Sequence, residues 1–144
     1  MSGALLLATD GSDHGRKAEV AALRIAKSYA IGVAALYVAY AETDSERERA
    51  VKEGEKVLDG VLEEGTRMGV EVQKLLVGVS VNRFGGRPTE TIADTILEMA
   101  EELRVHTIVM GSEGKKGLKH ALLGSVAENI ARNARCNVLI VKTD

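Results

Sequence analysis

ALLLATDGSD, residues 4–13, is the stretch that decides the fold. Ala4 to Ala8 is an unbroken apolar run, and it stops at once on Thr9, Asp10, Gly11 and Ser12. A strand with one face in water alternates apolar and polar side chains; one covered on both faces reads as a continuous apolar run bounded by turn residues. The first element is therefore expected to be a short strand buried between two layers.

Outward from it, the pattern changes period. Ala18, Ala22, Ile25, Ala26 and Tyr29 recur at helical spacing, and a second apolar strand spans Val33 to Ala39. Thr43 with Glu46, or Ser45 with Glu48, offers a capping box for a long second helix with the stripe Val51, Gly54, Leu58, Val61, Leu62, Gly65 and Met68. Glycines on that stripe cost about 1 kcal/mol each against alanine, so close approach to a sheet is the expected return. Residues 70–79 open with Val70 and Val72 alternating with Glu71 and Gln73, which predicts a less buried strand at an edge. Asn82 to Arg87 reads as a loop, and Pro88 suits the first turn of a third helix carrying Ile92, Ile96, Met99, Ala100 and Leu103 on one face. A fourth strand is expected over Val105 to Met110, a fourth helix from near Ser125, and a last strand over Val138 to Val141. Strands alternating with helices predict an α/β fold, an open five-stranded parallel sheet with helices on both faces, Rossmann-like, in one domain over residues 1–144.

Composition limits what such a domain does. At 144 residues with 45% apolar content, the chain buries a core without staples. A formal charge of −2 gives no support to a nucleic-acid partner. The lone Cys136 excludes a disulfide framework and a cysteine-built metal site, and is expected to behave as a small buried hydrophobe. No apolar run approaches the roughly 18 residues of a membrane span, and the start MSGALLLATDGSD lacks a basic leader region, so a soluble, cytoplasmic protein is expected.

A ligand should sit beyond the carboxyl ends of the strands, where strand order reverses. With order 3-2-1-4-5 the reversal falls between the first strand, ending at Thr9-Asp10, and the fourth, ending at Met110-Gly111. From there GSEGKKGLKHALLGS runs from Gly111 to Ser125. Gly111 and Gly114 remove side chains where a flat group would approach the backbone, and Ser125 with Glu128 forms a capping box at the fourth helix. That helix start, with Lys115, Lys116, Lys119 and His120 nearby, suits an anion. Ordinary turn glycines and an ordinary cap account for the same residues. Asp10 is either an acceptor for a base amino group or ribose hydroxyl, or an Asx turn before the first helix. Val38 is either an apolar surface for a base or core. The spacing is not that of a Walker loop, and no GxGxxG occurs.

At these residues the chain resembles the universal stress protein family, in its ATP-binding branch. The family pattern is Gly, two residues, Gly, nine residues, then Gly and Ser or Thr; here it reads Gly111, Gly114, Gly124-Ser125 directly after IVM. ATDGS, LYV, GRPTETI and NVLIVK extend the likeness along the chain. The resemblance implies that Asp10 and Val38 contact adenine, with Thr9 and Met110 beside the pocket. Gly111 and Ser112 lie near the ribose, and Gly114, Gly124, Ser125 and Val126 meet the phosphates. The implied ligand is ATP, with AMP or ADP as alternatives, together with Mg2+. Ala8, His106 and Asn137 depart from the residues frequent in the family, and none is a proposed phosphate contact.

Val138 to Val141 is wholly apolar at a sheet edge, and such an edge invites pairing. A homodimer through this strand is expected, and the resemblance implies it too. Three activities compete: a nucleotide-dependent regulatory switch with an unknown protein partner, a slow ATP hydrolase needing that partner, and a nucleotide-free dimeric interaction protein. His14 and His120 stand in no recognisable catalytic constellation, and Glu113 reads as a solvated loop residue. A phospho-receiver would need an aspartate at the end of the third strand, where Ser80-Val81-Asn82 stands instead.

Overall fold

The computed structural model describes residues 4–80, 87–113 and 123–142. Five strands, β1 (Leu5–Ala8), β2 (Val33–Tyr40), β3 (Val72–Val79), β4 (Thr107–Gly111) and β5 (Asn137–Val141), alternate with four helices, α1 (Asp13–Tyr29), α2 (Asp44–Met68), α3 (Pro88–Leu103) and α4 (Ser125–Asn133). All neighbouring strands are parallel, in the expected order β3-β2-β1-β4-β5.

The opening run behaves as its composition requires. Leu5 and Leu7 point into one core with Ala18, Ala22, Leu58 and Val61 of α1 and α2. Leu6 and Ala8 point into the other with Ala93, Ile96, Ala127 and Ile130 of α3 and α4. A residue-by-residue alternation between two apolar layers is why the run contains no polar position. On α2, a Cβ added to Gly54 would lie 2.6 Å from both Tyr37 and Leu76, so this glycine is what seats the helix on β2 and β3.

Two strands begin later than the apolar pattern suggests, for one reason. The residues after α1, α2 and α3, namely Ala30, Gly69 and Arg104, turn into the left-handed region. The next N–H then reaches back to the helix: Ile31 to Ala26 (3.0 Å), Val70 to Gly65 (2.8 Å) and Val105 to Ala100 (3.2 Å). This is the Schellman ending, and it takes Val70 and Val105 out of the strands while keeping them buried. At the start of α2, Thr43 accepts from the Glu46 N–H (3.2 Å), which selects the first of the two expected caps.

Both edges are where the sequence puts them. β3 lies at one end of the sheet with Gln73 and Lys74 exposed, and β5 lies at the other with Leu139 37% exposed. Cys136 is half-buried against the α3/α4 core, and burial pushes its thiol up. No described helix is long and apolar enough to cross a membrane.

Candidate functional site

The strand lengths build a notch. β1 ends at Ala8, which stands opposite Leu36 of β2 and Met110 of β4. β2 continues to Tyr40 and β4 to Gly111, while the chain after β1 turns away into α1. The notch opens at the carboxyl ends of the strands, at the point where strand order reverses, the place where open parallel sheets receive ligands.

Its apolar side is formed on the α3/α4 face. Ala8 and Met110 are buried there, and Val38, Leu123 and Val126 pack against the same cluster. Four candidate positions from separate parts of the sequence, Val38, Met110, Val126 and the chain following Ala8, thus converge.

Its first polar side is the turn from β1 into α1. Thr9, 6% exposed, donates its hydroxyl hydrogen to Glu19 Oε2 at 2.7 Å and accepts the Gly11 N–H at 3.3 Å. Asp10 Oδ1 accepts the Ser12 N–H at 2.9 Å, so the Asx turn weighed from sequence is present. Ser12 caps α1, accepting the Gly15 N–H at 3.1 Å. The α1 start is closed by its own side chains.

Its second polar side is the exit from β4. Gly111 is buried, and a Cβ there would lie 2.8 Å from the His14 carbonyl oxygen. The bare position anticipated as room for a flat ligand is thus also required by the backbone of α1's first turn. Ser112, 6% exposed, donates its N–H to Val141 (3.0 Å) and accepts at its carbonyl from the Gly124 N–H (2.6 Å). This last bond joins the exit of β4 to the start of α4. Gly114, Lys115, Lys116, Lys119 and His120 lie outside the described residues.

The start of α4 differs from the sequence expectation. Gly124, not Ser125, is the N-cap, and Ser125 is the first helical residue. The Ser125/Glu128 capping box is accordingly not formed, because a capping hydroxyl must come from the residue before the first helical one. No side chain caps α4 among the described residues. Glycine N-caps leave first-turn N–H groups to other acceptors.

Two pairs across the site were not anticipated. His14 Nε2 stands 3.3 Å from Glu113 Oε2, with the side chains 24% and 18% exposed, so Glu113 is held against α1 rather than solvated. Glu19 turns inward to Thr9 from one turn beyond Gly15. Burial pushes its carboxyl above the ordinary value, against the opposing pull of the Thr9 hydrogen bond and the Arg16 charge, while the Asp10 charge adds to the rise. Gly15 and Glu19 stand four apart on one helix, the one local sign of this arrangement. His106 is satisfied at the sheet's opposite end, with its N–H on Ala4 and its ring on Thr107. Among the described residues no group of three or more His, Cys, Asp or Glu stands together to hold a metal.

Residues 1–142 match the model of the universal stress protein family. Universal stress protein MJ0531 of Methanocaldococcus jannaschii is 35% identical over 149 residues, covering 96% of this chain and 81% of its own. The solved structure of MJ0577 from the same organism superposes with a TM-score of 0.76 at 28% identity, covering 100% of this chain and 98% of that one. A universal stress protein crystallised in complex with cAMP has the same fold, with a TM-score of 0.73 at 23% identity, covering 99% and 98% of the two chains.

Proposed function

The chain belongs to the universal stress protein family, and we propose that it is a single-domain, ATP-binding regulatory protein of the cytoplasm, acting as a homodimeric switch. One observation carries the reading: among the described residues no side chain caps the helix start at Gly124, beside the notch between β1 and β4, whereas α1 and α2 begin on a capping side chain and α3, which also lacks one, begins on proline. First-turn N–H groups and the helix dipole favour a phosphate there. Adenine would rest on Val38 and Met110, with the Asp10 carboxylate as its polar partner and Thr9 alongside. The ribose would lie by Gly111 and Ser112, and the phosphates by Gly114, Gly124, Ser125 and Val126. Mg2+ would be held through the phosphates, since this ion keeps most of its waters and takes one or two protein carboxylates at most.

Binding is favoured over turnover because Glu113 and His14, an acid and a base beside the notch, face each other. The homodimer would form along β5, whose Val138, Ile140 and Val141 are half-buried and Leu139 exposed.

The test is to denature the purified chain, chromatograph what it releases, and titrate nucleotide-free protein with Mg-ATP, ADP, AMP and cAMP. ATP near one per chain, or saturable ATP binding, is expected. No released nucleotide and no measurable affinity would sink the proposal. Light scattering at micromolar concentration should give a dimer that Leu139→Glu converts to monomer.

A further inference from the structure

We propose that the groove between α1 and α2 is a self-association surface separate from β5, in which Val20 of one copy seats on Gly60 of a second copy and the reverse. Three glycines lie along α2, and two have a reason inside the chain. A Cβ at Gly54 would press on Tyr37 and Leu76, and one at Gly65 on Val72. A Cβ at Gly60 would meet no described atom within 4 Å. Glycine in a helix interior is less favourable than alanine, and at Gly60 no contact among the described residues offsets that. What it provides is bare backbone that another molecule can approach closely.

Gly60 lines a groove of about 590 Å³ whose floor includes Leu23 and Val61, each 1% exposed. The α1 wall of the same groove carries the opposite feature, Val20, an aliphatic side chain left 47% exposed. One groove thus offers both a projection and a bare spot. A two-fold contact requires a surface that complements itself, so that each copy supplies to the other what it receives. The rim meets the same requirement in charge, with Arg16 and Lys56 set among Glu53 and Glu64. A rim of one sign repels its own image; a mixed rim does not, whatever pairs these side chains make within their own chain. A foreign occupant would need only the bare spot, and the projecting valine beside it favours a second copy. The groove overlies the middle of the sheet while β5 is its edge, so the two contacts can exist together.

The experiment traps the contact in the full chain. Cys136→Ala first removes the one native thiol. Val20→Cys and Gly60→Cys are then made as separate proteins and mildly oxidised, alone and mixed. The mixture should give severalfold more disulfide-linked dimer than either protein alone, with the 20–60 link identified by mass spectrometry. Leu139→Glu, which removes the β5 contact, should leave that link intact. Sedimentation of the wild-type chain well above micromolar concentration should show species larger than a dimer, and Gly60→Arg should lose them while melting as the wild type does. No excess of linked dimer in the mixture overturns the inference, as do larger species that are absent or that survive Gly60→Arg; the groove then belongs to a foreign partner or a small ligand. If Cys136→Ala fails to fold, Cys136→Ser takes its place.

Discussion

Two helices start at the rim of one notch, and they start differently. α1 begins on Ser12, whose hydroxyl takes a first-turn N–H, and the turn before it is knitted by Thr9, Asp10 and Glu19. α4 begins on Gly124, with no side chain among the described residues supplying an acceptor. The same physical need, to satisfy orphan N–H groups, is met internally on one side and by no described side chain on the other. On the nucleotide-binding reading proposed above, the two walls divide the labour: the closed one would serve the nucleoside, and the open one the anion.

The comparison breaks most decisively at Gly124. Its backbone, φ −68° and ψ 163°, is ordinary for any residue, so a side chain there strains nothing in the main chain. Gly124→Val should therefore keep the far-ultraviolet spectrum and lose ATP affinity by a hundredfold or more, about 3 kcal/mol. ATP retained by a well-folded variant would refute the close approach of phosphate to this backbone. Gly124→Asp sharpens the point, because it supplies the missing cap. Stability should rise by about 0.5 kcal/mol while ATP binding is lost, so melt and titration move in opposite directions.

On the rigid side, Gly111→Ala places a methyl 2.8 Å from the His14 carbonyl oxygen, and backbone has little freedom to yield. A loss of about 1–3 kcal/mol in urea unfolding is expected. A smaller effect belongs to the bridge between the walls: Glu113→Gln should cost about 1 kcal/mol or less, for a partly exposed pair. A neutral outcome would show that the walls are held by packing alone.

The subtlest effect is at Glu19. Its carboxyl is raised chiefly by burial, so the folded chain binds that proton more tightly than the unfolded chain does. The associated stability is complete below the ordinary carboxylate value and is lost as pH climbs through the raised one. Glu19→Gln should melt near wild type in acid and increasingly above it toward neutral pH. A gap that stays constant across that range would contradict the burial argument.

Much of this was legible in the sequence because it depends on period and position. Ala4 to Ala8 announced a doubly covered strand, Val70 to Gln73 an edge, and the reversal between the first and fourth strands the notch. What was not legible depends on long-range contact. Nothing local says that Gly111 is occupied by His14 backbone, or that Glu113 reaches across from a distant loop. Nor do Ala30 and Arg104 look like left-handed residues; only the equivalent Gly69 carries the signal. Ser125 misled because a capping box specifies spacing but not which residue precedes the helix. The capping pattern that misled at Ser125 was right at Thr43, where the neighbouring glycine ambiguity is absent.

The bond from the Gly124 N–H to the Ser112 carbonyl has an evolutionary consequence. Ser112 is pinned to the sheet and Gly124 to the start of α4, and these two anchors meet whatever length of chain joins them. Doubling the length of such a closed segment costs only about 0.6 kcal/mol of closure entropy. Selection, or a protein engineer, is thereby free to graft different lengths of chain between these anchors while the frame beneath stays as it is.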